Sequence, residues 1–443
     1  MLAKFGKRNF TVLMVFGLIG QIAWAVENMY FNLFVFETIA PDLDTVTLMV
    51  QLSGIVATVT TLLVGTLSDK IGNRRTFMWI GYIIWGVTVA LFGFTSPKTV
   101  GAIFSGDMAK IVSITLALAV IGDCVMTFFG SSANDACFNA WVTDNTETEY
   151  RGAIEGILSI LPLAAMLIVA GGFGILVEAM GYSTLFLLLG IVITICGIGG
   201  IFFIKDSNRL VKSGTLKDIL YGFKPSVIKG NLPLYITLII VMLYGIACQT
   251  FMPYLIIYMK TYLGFSVVEY SVVFGACIII GAIINLYLTR LSDSKDKGLM
   301  LYIAAGILSL GLLGMFIFNS GSKMALLITF GISGFVMITG YILVSALCGS
   351  MVRDYTPEGA VGKLQGVRMV FSVLIPMVIG PMMGNAINKA KNIPLPDLGS
   401  ADTMTTQYIP APQIFLVASI ISILMIALIP VLRKIRKGVN NEA

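Results

Sequence analysis

The amino-acid sequence predicts an all-α membrane protein with twelve transmembrane helices in two pseudo-symmetric six-helix bundles. The composition, the length of the apolar runs and an internal repeat lead to this prediction. Of the 443 residues, 57% are hydrophobic and only 12% are charged, whereas soluble domains carry about a quarter charged residues. A helix that crosses a bilayer needs about 20 apolar residues, and such runs follow one another almost without interruption. The lipid bilayer is therefore the expected surrounding of the chain.

Twelve apolar runs define the predicted helices, and the polar stretch 205–231 separates them into two groups of six. The first group is α1 10–36, α2 46–68, α3 76–95, α4 109–139, α5 152–178 and α6 182–204. The second group is α7 232–259, α8 267–289, α9 299–318, α10 323–350, α11 363–387 and α12 411–432. The predicted domains are thus an N-terminal bundle (1–204), a cytoplasmic linker (205–231) and a C-terminal bundle (232–443).

The first apolar run has features of a secretory signal, because a basic start precedes it and Ala23-Trp24-Ala25 offers a cleavage-like site. The run continues to Phe36, however, which is long enough for a tilted spanning helix. We therefore expect α1 to be an uncleaved membrane span.

The distribution of Lys and Arg predicts that both termini are cytoplasmic. An even number of spans places both termini on one side, and 23 of the 29 Lys and Arg residues fall on that side. Cytoplasmic loops carry this excess of basic residues. The net charge of +6 thus follows from topology, and no nucleic-acid partner is needed to explain it.

Two loop patterns recur in the two halves. Leu67-Ser68-Asp69 closes α2, and Leu291-Ser292-Asp293 closes α8. After α4, Asp144 precedes glycines 8 and 12 residues later, and the same spacing follows Asp354 after α10. Two matches at equivalent loops indicate a duplicated fold, the architecture in which transporters bind substrate near the midplane between repeats.

The loop GTLSDKIGNRR between α2 and α3 concentrates charge between two apolar runs. We expect Gly65 to allow close helix contact and Gly72 to permit the tight turn. Arg74 and Arg75 would keep the loop in the cytoplasm. The lone acid Asp69 needs a helix N-terminus or an arginine as its partner.

This loop, Gly65-x-x-x-Asp69-Lys70-x-Gly72-x-Arg74-Arg75, resembles the loop 2–3 signature of the major facilitator superfamily, apart from Asn73 where a base is usual. The resemblance implies that the acid locks the inward gate by docking on helix 11 of the other half. With the repeated loops included, the predicted gating residues are Gly65, Asp69, Arg74, Arg75, Asp144, Arg151, Asp293 and Asp354.

A narrower resemblance concerns α4. Asp135-x-x-Phe138-x-x-x-Val142, with Thr143-Asp144 and Arg151-Gly152, is similar to helix 4 of the glycoside–pentoside–hexuronide:cation symporters and related sucrose carriers. In that family the position of Asp135 serves both substrate and cation. Sodium-coupled members carry two acids on helix 2, but the matching residues here, 57–61, are only Ala, Thr and Val. The resemblance therefore implies proton coupling rather than sodium coupling.

Three acids lie deep in predicted spans, namely Glu27, Asp123 and Asp135. Intramembrane acids are costly and usually functional, and the chain contains no histidine to carry protons instead. These three are the predicted coupling residues. Asp123 continues into a polar stripe with Thr127, Ser131 and Asn134 at helical spacing.

Sugar recognition needs hydrogen-bonding groups beside flat aromatic faces. The stripe on α4, a second on α1 (Gln21, Asn28, Asn32, beside Trp24) and the α7 tyrosines supply both. The predicted substrate-binding residues are Trp24, Asn28, Asn32, Asn134, Asp135, Gln249, Tyr254 and Tyr258. The alternatives are interhelical hydrogen bonds for the polar stripes and aromatic packing for α7.

The expected function is proton-coupled symport of a sugar or glycoside by alternating access, in a monomer of the bacterial cytoplasmic (plasma) membrane. The alternatives are a drug or lipid carrier of the same fold, an uncoupled facilitator and a non-transporting sensor. No phosphate-binding loop, nucleophile elbow or Cys–His metal pattern is present. We therefore expect no enzyme activity, cofactor or metal, and we interpret the six cysteines as packing residues.

Overall fold

The computed structural model describes residues 5–147, 151–207, 216–293, 296–357, 361–395 and 407–442. Within these residues, eleven helices are long and apolar enough to cross a membrane. One of them, Gly156–Phe203, contains two spans that meet at Gly181. Gly181 has φ 78° and ψ 161°, a conformation essentially reserved for glycine, so the chain turns there. The predicted all-α fold with twelve spans is thereby confirmed.

Five of the observed helices, α1, α2, α4, α5 and α11, are longer than predicted at both ends, and α3 and α6 end earlier than predicted. The first six are α1 Lys7–Ile39, α2 Leu43–Ile71, α3 Arg75–Phe92, α4 Met108–Asn145, α5 151–180 and α6 182–203. The second six are α7 Leu232–Thr261, α8 Val267–Asp293, α9 Lys297–Ile317, α10 Lys323–Tyr355, α11 361–391 and α12 Gln413–Glu442. Two short antiparallel strands, β1 Ile393–Pro394 and β2 Tyr408–Ile409, pair between α11 and α12.

A short helix, Pro97–Ile103, lies between α3 and α4 and was not among the predicted elements. Ser96 caps it by accepting a hydrogen bond from the Thr99 amide, and Pro97 occupies its first turn. Both residues are favoured at helix starts. The helix was missed because only seven residues form it, which is too short for a periodic apolar pattern.

The chain divides into two compact units, which we call unit 1 (1–216 and 398–407) and unit 2 (217–397 and 408–443). Within unit 1, α1 packs on α5, α2 on α4 and α3 on α6. Within unit 2, the equivalent pairs α7 with α11, α8 with α10 and α9 with α12 also pack together. The two units therefore share one pattern of helix pairing, as expected of a duplicated fold.

Glycines allow close contacts between helices in both units. A Cβ on Gly86 of α3 would meet the Gly190 carbonyl of α6, and in unit 2 a Cβ on Gly311 of α9 would meet the backbone of Met337 in α10. Small residues at such crossings let two backbones approach in a membrane, where van der Waals packing must hold helices together.

Part of the predicted linker 205–231 belongs to unit 2. The segment contains a 3₁₀ turn, Leu216–Phe223, and a short helix, Pro225–Gly230. The Tyr235 hydroxyl donates to the Gly222 carbonyl, and Val227 packs in an apolar cluster with residues of α7, α10 and α11. The boundary between the units lies at residues 216 and 217, inside the predicted linker.

Within the part of the chain that the structure describes, five π-helical segments interrupt the spans: Glu27–Phe31 and Val35–Ile39 in α1, Ser131–Phe138 in α4, Val169–Phe173 in α5 and Val370–Leu374 in α11. Such wider turns often occur at functional sites. The first begins at Glu27 and the third contains Asp135, so two of the three intramembrane acids lie in irregular turns.

Candidate functional site

Two buried carboxyl groups lie within one hydrogen-bonded chain in unit 1. Glu27 of α1 is 7% exposed and Asp123 of α4 is 2% exposed. The Thr127 hydroxyl donates to Glu27 Oε1 at 2.9 Å and lies 3.2 Å from Ser53 Oγ. Ser53, on α2, donates to Asp123 Oδ2. Four side chains from three helices therefore form one continuous chain, Glu27–Thr127–Ser53–Asp123, which we call the acid–hydroxyl chain.

Each of these acids keeps one oxygen without a hydrogen-bond partner. Glu27 Oε2 and Asp123 Oδ1 are buried and unpaired among the residues that the structure describes. No Lys or Arg side chain in this described part forms an ion pair with either acid. A buried charge without compensation costs much free energy, so the pair calls for a proton or another cation.

Asp135, the third acid, lies beside an aromatic ring. It is half-buried, and its Oδ2 accepts a hydrogen bond from Ser131 Oγ at 2.9 Å. The indole N–H of Trp24 approaches the same carboxyl group without a well-aligned hydrogen bond. The half-buried Trp24 ring packs on Trp85, with ring centroids 4.9 Å apart. A carboxyl group and an aromatic face are therefore available together.

The asparagine amides of the predicted stripes form hydrogen bonds within or between helices. Asn28 and Asn32 donate to the carbonyls four residues earlier, at 2.8 and 3.0 Å, and only Asn28 is exposed. Asn134 donates to the Tyr82 hydroxyl at 2.7 Å, and Gly20 packs against its amide. The Asn134 side chain is 2% exposed in this structure, and its role in substrate binding stays a prediction. Its amide makes an interhelical hydrogen bond, which was the alternative.

The predicted aromatic platform on α7 lies inside the packing of unit 2. Tyr254 and Tyr258 are both 0% exposed. The Tyr254 hydroxyl donates to the Pro381 carbonyl of α11 at 2.9 Å, and the Tyr258 ring stacks on Tyr262 at 4.9 Å. Gln249 is half-buried, and Gly380 packs on its backbone. In this structure the two tyrosines therefore make the packing contacts of the alternative, and their role in substrate binding stays a prediction.

Unit 2 has a cavity of about 160 Å³ between α7, α10 and α11. It is lined by Leu238, Val241, Tyr244, Ser345, Cys348, Gly349, Val352, Arg368 and Ser372. The Tyr244 hydroxyl donates to the Tyr341 carbonyl at 3.1 Å. Sequence reasoning missed Ser345 and Ser372 because single serines in apolar helices carry no pattern that marks a cavity.

Arg74 is the centre of the predicted gate loop. The residue is 5% exposed and donates to Asp69, to Asp144 Oδ2 at 3.2 Å and to Ser68 Oγ at 2.5 Å. Burial by itself lowers the pKa of the Arg74 guanidinium, but the Asp69 and Asp144 carboxylates outweigh burial and raise that pKa above its ordinary value. The arginine partner expected for Asp69 is therefore present within the same loop.

The rest of this loop holds the N-terminus of α3. Asp206, which sequence reasoning missed, accepts from the backbone N–H groups of Arg74 and Arg75 at 3.1 and 2.9 Å. A carboxylate is favoured at this positive helix end. Gly72 has φ 71°, as the tight turn requires. The close contact expected at Gly65 is wrong for this structure, because a Cβ there would meet no atom of the described residues within 4 Å.

Unit 2 has an equivalent ion pair. Lys297 at the start of α9 binds Asp354 Oδ2 at the end of α10, at 2.6 Å, just as Arg74 precedes α3 and binds Asp144 at the end of α4. The repeated aspartates 144 and 354 thus have matching partners. The side chains of the two other predicted gate residues, Arg151 and Asp293, lie outside the described residues.

Comparison with known proteins shows the same architecture. A point mutant of the nucleoside transporter NupG has a TM-score of 0.67 and 11% identity, and the match covers 95% of this chain and 99% of NupG. A bacterial homologue of the human lysosomal transporter Spinster has a TM-score of 0.64 and 12% identity, and the match covers 97% of each chain. A bacterial homologue of the iron transporter ferroportin has a TM-score of 0.64 and 14% identity, covering 96% of this chain and 99% of the homologue.

At these identities the likeness concerns the fold, and the names of two of the proteins point to different cargoes, nucleosides for NupG and iron for ferroportin. A search of curated protein sequences finds no match. The profile of the Major Facilitator Superfamily matches residues 13–381, which is most of the chain. The twelve spans, the duplicated helix pairing and this match lead to one conclusion: the chain belongs to the major facilitator superfamily and is a multi-pass membrane protein with a transporter fold.

Proposed function

We propose that the protein is a secondary active transporter that carries a sugar or glycoside by alternating access and couples transport to protons. The observation that carries the proposal is the position of Glu27, Asp123 and Asp135 inside the helix bundle of unit 1. No Lys or Arg of the described chain is paired with them. The protein would act as a monomer in the bacterial plasma membrane.

The neighbourhood of Asp135 supports a neutral polyhydroxylated substrate. A carboxylate accepts hydrogen bonds from sugar hydroxyls, and an indole face packs against sugar C–H groups. Trp24 is half-buried beside Asp135, and Asn28, one helical turn further along α1, is exposed. An anionic sugar would favour the cavity of unit 2, where Arg368 contributes to the lining, so acidic sugars belong in the test.

The chemistry of the buried pair supports protons over sodium. A sodium site needs several oxygen atoms with their lone pairs turned toward the ion. In the acid–hydroxyl chain, the hydroxyl groups of Thr127 and Ser53 instead form hydrogen bonds with the two carboxyl groups and with each other. Helix α2 contributes hydroxyls and no acid at residues 57–61.

Proteoliposome uptake tests this proposal. Neutral sugars, uronic acids, sugar phosphates, nucleosides and lipophilic drugs are first screened for a rise in Tm, because a ligand stabilises the state it binds. The best ligand is then offered under an imposed proton gradient or an imposed sodium gradient at clamped pH. We expect a neutral sugar or glycoside to accumulate with the proton gradient alone.

Each other outcome identifies an alternative. Accumulation driven by sodium alone contradicts proton coupling, and equilibration without accumulation identifies an uncoupled facilitator. Stabilisation only by lipophilic compounds identifies a drug or lipid carrier, and stabilisation only by acidic sugars contradicts the neutral substrate.

Two tryptophans provide a matched test of the substrate site. Trp24→Ala should weaken sugar binding by about tenfold or more, equivalent to about 1.4 kcal/mol, because it removes the half-buried face beside Asp135. Trp85→Phe should lower Tm while leaving affinity nearly unchanged, because Trp85 is fully buried. Equal affinity in the wild type and the Trp24 variant would contradict this site.

A further inference from the structure

The number of hydrogen bonds in the acid–hydroxyl chain fixes the number of hydrogens that the chain needs. Four oxygen atoms in a row, from Glu27 Oε1 to Asp123 Oδ2, make three oxygen–oxygen links. Each link needs one hydrogen, and the hydroxyls of Thr127 and Ser53 supply only two. With both acids ionised, the link of 3.2 Å between the two hydroxyl oxygens has no hydrogen. With both acids protonated through these oxygens, one link has two opposed hydrogens.

We infer that Glu27 and Asp123 share a single proton through Thr127 and Ser53, and that the chain holds it as one unit. When Glu27 carries the proton, Glu27 donates to Thr127, Thr127 donates to Ser53 and Ser53 donates to Asp123. When Asp123 carries it, every donor is reversed. Passage from one state to the other moves one hydrogen along each link, so each hydroxyl gives one proton and gains one, and the negative charge moves between the acids.

This inference deepens the proposed coupling role and rests on it for its physiological meaning. Ser53 and Thr127 become positioning residues that join two acids on different helices, α1 and α4. Among the described residues, the other titratable groups near the pair are Asp135 and Cys124, both on α4. Neither is a cation, so the hydrogen that completes the chain must come from a carboxyl proton.

Infrared spectroscopy of the purified, full-length protein measures the proton directly, through the C=O band of protonated carboxyl groups at pH 7. The reference is the double variant Glu27→Gln/Asp123→Asn, in which an amide hydrogen completes the chain and neither acid remains. Subtracting its spectrum from that of the wild type should leave the amplitude of one carboxyl group per chain.

The single variants distinguish a shared proton from a resident one. In Glu27→Gln an amide N–H replaces the shared hydrogen, so Asp123 should ionise. In Asp123→Asn the new amide N–H likewise replaces the shared hydrogen, so Glu27 should ionise. We expect each single variant to lose the whole signal. A signal that persists in either single variant, or a wild-type amplitude of zero or two groups, would overturn the inference.

Breaking the middle of the chain provides the matched control. Thr127→Val keeps the shape of the side chain but removes the hydroxyl. When Thr127→Val is combined with Glu27→Gln or Asp123→Asn, the remaining acid should therefore retain its proton. Thr127→Ser keeps the hydroxyl and should behave like the wild type. Ser132→Ala should also change nothing, because the Ser132 hydroxyl bonds to its own helix at Phe128. If Thr127→Val and Thr127→Ser gave identical spectra when the same acid is also replaced, a connection through Thr127 would be excluded.

The infrared readout requires no transport, so the two proposals can fail separately. A one-proton signal in a protein that shows no proton-driven uptake would contradict the proposed function and leave the shared proton intact. Proton-driven uptake without the one-proton signal would contradict the shared proton and leave the proposed function intact.

Discussion

The guanidinium of Arg74, at the start of α3, lies 3.2 Å from the carboxylate of Asp144 at the end of α4. Lys297 and Asp354 join the same ends of α9 and α10 in unit 2, at 2.6 Å. The two pairs differ in burial, since the side chain of Arg74 is 6% exposed and that of Lys297 is 27% exposed. One repeated contact therefore exists in a buried and in a partly solvated form.

The difference in burial predicts that removing Arg74 lowers the free energy of unfolding more than removing Lys297. Arg74→Met should lower the free energy of unfolding by roughly 1–3 kcal/mol, because it leaves the Asp69 and Asp144 carboxylates without their cation in a partly buried site. Lys297→Met should cost less than about 1 kcal/mol. Melting temperatures in the same detergent compare the variants, and an equal or larger loss for Lys297→Met would contradict the ranking.

Asp69→Asn tests the proposed gate. The variant should fold, because Arg74 keeps Asp144 and Ser68 as partners. It should slow transport by shifting the conformational equilibrium by about 1–3 kcal/mol, as is typical of coupled sites. The readouts are the uptake rate and the reactivity of a cysteine introduced on the cytoplasmic side. Asp69→Glu is the charge-preserving control, and wild-type values of both readouts in Asp69→Asn would count against a gating role.

Two tyrosines of α7 should respond differently to loss of their hydroxyls. Tyr254→Phe leaves the buried Pro381 carbonyl without its donor, which should cost about 1 kcal/mol. The Tyr258 hydroxyl is buried and has no partner among the described residues, so Tyr258→Phe should be neutral or stabilising. Tm measurements decide between them. A larger loss for Tyr258→Phe would indicate that its hydroxyl binds a group that the present contacts do not include.

Replacing each of the two glycines of the gate loop by alanine should have opposite effects on stability. Gly72 has φ 71°, so Gly72→Ala should cost roughly 1–2 kcal/mol in backbone strain. Gly65 lies within α2 and has open space at its Cβ position. Gly65→Ala should therefore stabilise the helix by about 0.5–1 kcal/mol. A drop in Tm for Gly65→Ala would show that this position needs closer contact in another conformation.

The sequence by itself determined the fold class and the kind of chemistry. In a bilayer every backbone polar group must be paired within its own helix, so the apolar runs predicted all twelve spans. The same solvent makes buried acids rare, and rarity alone distinguishes Glu27, Asp123 and Asp135 from the other polar residues of the spans. The recurrence of Asp144 at Asp354 likewise predicted the duplication, although not the bases that pair with them.

Only the tertiary structure decided which polar groups meet. Ser53 and Asp123 are separated by 70 positions in the chain, and nothing in the sequence of α2 distinguishes Ser53 from its other hydroxyls. Asn134 and Tyr254 have the residue types of a sugar site, yet Tyr82 and the Pro381 carbonyl occupy their polar atoms. Helical periodicity assigns a side chain to a face of its helix, but the neighbour opposite that face is set by how the helices cross. That choice depends on long-range packing, which a local pattern does not encode.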